Sequence, residues 1–176
     1  MNNMKDIIQL QRATVAEHIR AENAKEWPAV YETFIQNDTA YYDVAPLATR
    51  FKGIAGVKDF YQAITIALPD FHITVTAEYD TSGCSIREAT IAGTHQGEYC
   101  GVPASGKYVR IEVAGFFLFG TGEDAHKLVA ERLYFDNGMV LRQMRGETDA
   151  PTGIGLAELV PEIASASGLR RQLPFS

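Results

Sequence analysis

The spacing of apolar and polar residues changes near Pro69, dividing the chain into a helical first part and a strand-rich second part. In the first part Ile7, Ile8, Leu10, Val15 and Ile19 recur at roughly helical intervals and predict a helix over residues 4–23. Pro28 suits the opening turn of a second helix, 28–35, which Asn37 and Asp38 end. Residues 39–44, TAYYDV, are β-formers and read as a short strand. A loop over 46–53 leads to a third helix, 54–68, stopped by Pro69.

Beyond Phe71 the period falls to two. Strands are predicted over 71–79, 84–98, 108–119 and 127–135, separated by turn-forming stretches at 80–83, 102–106 and 120–126. Residues 139–145 read as a short terminal strand or extended edge. Helices followed by an antiparallel meander predict an α+β fold. Its expected form is a cone-shaped, curved, mostly antiparallel sheet of about five to six strands, with three N-terminal helices over the concave face. Glycines 93, 97, 101 and 115, within or beside strands, supply the bending. Residues 1–146 form the expected domain and 147–176 a C-terminal extension with a short helix over 154–164.

Composition narrows the function. With 176 residues, 46% hydrophobic and 22% charged, the chain is long and apolar enough for one packed domain. A net charge of −6 without a basic cluster argues against nucleic-acid binding. The apolar run around residues 113–119 is too short for a bilayer, and the N-terminus has no signal-peptide core. A soluble cytoplasmic protein is therefore expected, with Cys84 and Cys100 reduced on neighbouring strands. No Cys/His spacing suits zinc, and no metal is expected.

Candidate chemistry centres on AGTHQGEYCGVPASGK, residues 92–107, where His95 lies between Gly93 and Gly97. Strand alternation builds an inner face around it. If His95 points inward, Ile91 and the two glycines do too, and the glycines leave room around the imidazole. The corresponding set on the first strand is Tyr41 and Asp43; if Gly115 points inward on the third long strand, so do Val113 and Phe117, and if Leu133 does on the fourth, so does Glu131. Mainly apolar walls with a few convergent polar groups describe a small-molecule pocket. Asp43 or Glu131 is the expected base and His95 the acid or oxyanion partner. Tyr41, Val113, Phe117 and Leu133 are expected to bind substrate. His18, His72 and His126 are placed on surfaces. Ala114, Phe116 and Leu118 face outward and suggest a homodimer.

Three segments carry a resemblance: FKGIAGVKDFYQAITIALPDF, GTHQGEYCGVPASGK and ERLYFDNGMVLRQM. Their order is similar to that in the SnoaL-like polyketide (ester) cyclases of the nuclear transport factor 2-like superfamily, over about residues 5–145. The resemblance implies a cone-shaped α+β barrel, a pocket, no cofactor, and acid/base chemistry on a polyketide-like or aromatic carbonyl compound. It also implies a catalytic aspartate three residues before Asp136 and a histidine on the preceding strand. Here those places hold Leu133 and Gly115. The Arg-x-Asp pair of the related limonene epoxide hydrolases would fall on His95 and Gly97. The expected function is a cofactor-free cyclase, lyase or isomerase. The alternatives are a non-catalytic small-molecule binder and an epoxide or ester hydrolase.

Overall fold

The computed structural model describes residues 4–148, so the predicted C-terminal extension lies almost wholly outside the described residues. Helix α1 is Met4–Ala24, α2 Trp27–Glu32 and α3 Gly53–Ala67. Strands β1 (Tyr41–Val44) and β2 (Thr49–Lys52) precede α3. The long strands β3 (His72–Thr81), β4 (Cys84–Thr94), β5 (Tyr108–Phe119) and β6 (Leu128–Phe135) follow it, and α4 (Asn137–Arg145) closes the domain. The six strands form one sheet in the order β2-β1-β6-β5-β4-β3. Every pair is antiparallel except β1 with β6. The α+β architecture, with a curved and mostly antiparallel sheet, is the one the change of period predicts.

Two elements differ from the sequence expectation. Residues 49–52, read as a loop, form strand β2, which pairs with β1 from Tyr41↔Lys52 to Val44↔Thr49. The hairpin closes through Ala48 in the left-handed region, φ 49°, a place where alanine gives no turn signal. Residues 139–145 form helix α4 rather than an edge strand. Asp136 caps it by accepting the Met139 N–H at 2.9 Å, and Gly146, φ 73°, ends it. Val140, Gln143 and Met144 make its buried face. The Gln143 side chain accepts from Arg110 N at 2.8 Å and donates to Arg110 O at 2.9 Å. Residues 108–112 of β5 lie beyond the reach of β6, which pairs from Val113 onward, so this amide satisfies an edge the sheet leaves open.

Helix α1 is the least conventional element. Its buried stripe is Gln11, Val15, His18 and Glu22, spaced four, three and four residues apart on one face. The apolar residues that announced the helix are partly outside that stripe, and Leu10 is exposed. An inward face this polar needs partners, and the partners define the site.

Candidate functional site

A cavity of about 240 Å³ lies between α3 and the inner face of the sheet. Phe60, Ile64 and Ala67 of α3 form one wall; Ile91, Ile111 and Val113 of β4 and β5 form the other. Glu98, Tyr99 and Cys100 line it from the loop after β4, where Glu98 and Cys100 are exposed. Polar groups gather at the deep end, where Glu22, Tyr42, Tyr61 and Glu131 line the cavity and all four are buried.

Glu22, Tyr61 and Glu131 surround the imidazole of His18, which is fully buried, and Tyr42 joins them through Glu131. Helix geometry places His18 and Glu22 one turn apart on the same face, and α3 brings Tyr61 against both. The parallel pairing of β1 with β6 sets Tyr42 beside Glu131 and Val44 beside Leu133. Thr33 donates to Val30 O at 2.6 Å, so its oxygen is left to accept from His18 Nδ1 at 2.8 Å. That fixes a proton on Nδ1 and turns Nε2 toward the cluster. Nε2 lies 3.1 Å from Glu131 Oε2, 2.9 Å from the Tyr61 hydroxyl and 3.6 Å from Glu22 Oε1. Tyr61 donates to Glu22 Oε1 at 2.9 Å, with Glu131 Oε2 at 3.3 Å as its second acceptor. Tyr42 donates to Glu131 Oε1 at 2.9 Å. Phe34 and Phe117 close over the imidazole edge-on, with ring centroids at 5.5 and 5.7 Å.

Burial and charge set the proton affinities of this group. Burial opposes a charge on His18, but the Glu22 and Glu131 carboxylates outweigh it and push the imidazole up to about 10. Burial pushes the Glu131 carboxyl above its usual range, and repulsion from Glu22 adds to it. Hydrogen bonds from His18 and Tyr42 pull it partly back. Both phenols are raised well above 10, chiefly by burial, and stay protonated donors. The deep end thus holds an imidazolium, two carboxyl groups and two phenols in one hydrogen-bonded unit. His18, Glu22 and Glu131 also present ligand atoms within 4.8 Å of one another, a spacing that could hold a cation. In this structure those atoms are saturated by one another and by the two phenols.

The structure separates the residues expected from strand alternation. Glu131, Val113 and Leu133 line the cavity, and Phe117 packs behind it on His18. Tyr41 and Asp43 do not face it, because β1 presents Tyr42 and Val44 inward instead. Asp43 accepts two hydrogen bonds from Arg50 at 2.6 and 2.7 Å and lies 3.4 Å from Arg132 Nε. Tyr41 sits under the Arg50 guanidinium, 4.1 Å from its ring centroid. His95 is fully buried but does not line the cavity. Just past the end of β4 the chain turns across the end of α3, with the N–H groups of Gln96 and Gly97 on Ala67 O. There His95 Nδ1 meets Ser105 Oγ at 3.0 Å, and Nε2 has no partner among the described residues. Its flanking glycines serve that crossing: a Cβ on Gly93 would meet Phe71 Cα at 3.0 Å, and one on Gly97 would meet Ile66 O at 2.3 Å. Cys100 lies in this loop rather than on a strand, and both cysteines are free.

His18, expected on a surface, is the centre of the cluster; Glu22, Tyr42 and Tyr61 are its other members that strand parity did not supply. The available signal was the His-x-x-x-Glu spacing on the same helical stripe as Gln11.

Comparison with known proteins agrees with this fold. Residues 12–144 match the family profile described as SnoaL-like polyketide cyclase. A protein of Jannaschia sp. CCS1, provisionally named as a SnoaL-like polyketide cyclase, is 16% identical; the match covers 82% of this chain and 97% of that one, with a TM-score of 0.69. IdmH of Streptomyces antibioticus, provisionally named as a polyketide cyclase, is 19% identical over 77% of this chain and 98% of its own, with a TM-score of 0.63. AclR of Streptomyces galilaeus, provisionally named as a hydroxylase, is 17% identical over 94% and 99%, with a TM-score of 0.66. At these identities the likeness is one of fold. No curated protein matches the chain. Among the described residues no helix is long and apolar enough to cross a membrane.

Proposed function

Because this chain belongs to the SnoaL-like polyketide cyclase family, we propose that it catalyses proton transfer next to the carbonyl of a small ring compound, with Glu131 as the acid/base. The observation that carries this reading is a carboxyl group of raised proton affinity at the closed end of an apolar cavity, hydrogen-bonded to a phenol donor. A carboxylate tuned toward neutrality can take a proton from an acidic C–H and give it back.

In the proposed step the substrate enters with its carbonyl toward Tyr42 and Tyr61. Glu131 takes the α-proton, and the C–H electron pair moves into the carbonyl to form an enolate. Protonation of Glu131 weakens its demand for the Tyr42 hydrogen bond, so that phenol can turn its proton to the enolate oxygen. Returning the proton at another carbon gives isomerisation. Attack of the enolate carbon on a second carbonyl forms a C–C bond and closes a ring, and Glu131 then protonates the new alkoxide. Each step moves protons and electron pairs already present in substrate and side chains, so the reaction class is cofactor-independent. The His18 imidazolium, held by Thr33 and hydrogen-bonded to Glu131, keeps a positive charge beside that carboxyl through both states.

The test is exchange of the α-protons of 2-tetralone in D₂O, followed by NMR. Wild-type protein should accelerate exchange, and Glu131→Gln should abolish the acceleration while still binding the ketone. Absence of exchange with wild-type protein would remove Glu131 as a base. Leu133 favours a second reading, a binding protein without turnover, because it places an apolar side chain on the cavity wall where the resemblance implies an aspartate. Binding of 2-tetralone without exchange would support that reading.

A further inference from the structure

The cavity carries a charge pattern that the acid/base reading does not use. Among the described residues Glu22, Glu98 and Glu131 are its charged lining residues, and no lysine or arginine lines it. The His18 imidazolium stands behind the floor, held by Thr33, and balances only one of the two buried carboxyl groups when both are ionised. Glu98, exposed on the loop after β4, adds negative charge at the outer part of the lining. An anion entering this site would leave water with no lining cation among the described residues to receive it, and would meet like charge at the floor and at Glu98. A neutral ring compound gives up mainly apolar hydration, and its oxygen finds the phenols of Tyr42 and Tyr61.

Size adds a second limit. The cavity measures about 240 Å³. That suits one ring or two fused rings, below the usual span of pockets for larger ligands.

We infer that this pocket selects an uncharged carbonyl compound of one or two rings and rejects the same skeleton when it bears a carboxylate. The inference rests on the cavity and cluster described above as the substrate site. It assigns the selectivity to the uncompensated carboxylates of the lining rather than to shape.

The matched pair methyl 2-naphthoate and 2-naphthoate isolates the charge, because the two share a ring system and differ little in size. Calorimetry with the full chain at pH 8 should show the ester binding at least a hundredfold more tightly. Glu131→Gln removes one floor charge and should narrow that ratio at least tenfold. Glu98→Gln, exposed and outside the buried cluster, should narrow it by a smaller factor without threatening the fold. Carboxylate binding within tenfold of the ester would overturn the inference, as would a ratio unchanged in both variants. So would failure of the ester to bind at millimolar concentration, or tighter binding of 2-naphthylmethylammonium than of the ester. The outcomes separate from those of the exchange experiment. Ester selectivity without 2-tetralone exchange removes the base and keeps the selectivity. Exchange with equal binding of ester and acid does the reverse.

Discussion

Tyr42 and Glu131 stand side by side on parallel strands, and the phenol of one donates to the carboxylate of the other at 2.9 Å inside the sheet. This hydrogen bond helps to keep Glu131 ionised, because it opposes the effects of burial and of Glu22. Tyr42→Phe keeps the ring, which stacks on Phe60 at 3.6 Å, and removes only the donor. The acidic limb of the 2-tetralone exchange profile should move to higher pH, since Glu131 becomes harder to ionise. The rate at its plateau should fall about tenfold to a hundredfold through loss of an enolate donor. An unchanged profile would detach Tyr42 from the chemistry.

His18 makes stability depend on alkaline pH. Its folded-state affinity, about 10, lies above the ordinary 6.5, so between those values the folded protein holds a proton the unfolded chain releases. Stability from this group is complete below about pH 6.5 and is lost as pH rises through about 10. Thermal unfolding should show a midpoint that declines across that window. In a His18→Gln variant that decline should flatten while the starting stability is lower by about 3–5 kcal/mol, the usual cost of leaving buried charge without its partner. Adding Glu22→Gln to His18→Gln should recover part of the loss, because it removes one of the two stranded carboxylates.

His95 should be separable from turnover. Its ring is enclosed where the loop crosses the end of α3 and, among the described residues, bonds only Ser105, through Nδ1. His95→Asn should lower the melting temperature and leave 2-tetralone exchange within about twofold of wild type, as expected for a site away from the reacting atoms. A drop in exchange of two orders of magnitude, with stability intact, would return His95 to the chemistry.

The fold was legible because its signals are local and periodic. The change from helical to alternating spacing near Pro69 marks the boundary between the α3 region and the meander, and the Asp80–Gly83 turn sits where β3 meets β4. The site was legible only where alternation could be carried along a long strand. On β5 and β6 parity, phased by the places the resemblance gives to Gly115 and Leu133, put Val113, Glu131 and Leu133 on the cavity side. On β1, four residues long, nothing in the strand itself distinguishes Tyr41 and Asp43 from Tyr42 and Val44. The choice is made by a parallel partner nearly ninety residues away, through the Tyr42↔Glu131 register. His18 was hidden for a different reason. A polar residue on an amphipathic helix reads as solvent-facing, and only the convergence of Thr33, Tyr61 and Glu131 makes an inward imidazole tolerable.

Gly97 links the loop at the cavity to the end of α3. A side chain there would place its Cβ 2.3 Å from Ile66 O and 2.8 Å from Ile66 C and Cγ2, and the contact is with backbone that cannot rotate away. Gly97→Ala must therefore push the loop off α3, straining the bonds from Gln96 N and Gly97 N to Ala67 O, at 2.9 and 3.3 Å. Overpacking of this kind costs about 1–3 kcal/mol. Because Glu98, Tyr99 and Cys100 follow directly and line the cavity, the same change should weaken binding of methyl 2-naphthoate. Gly101 is the control in the same loop. It has φ 78° with no atom of the described residues within 4 Å of an added Cβ, so Gly101→Ala costs only the left-handed backbone, about 1–2 kcal/mol. Urea unfolding and calorimetry on both variants should show Gly97→Ala losing stability and ligand affinity together, and Gly101→Ala losing stability with affinity kept. Equal affinity losses in the two would mean that loop backbone strain, rather than the seat on Ile66, holds this part of the cavity in place.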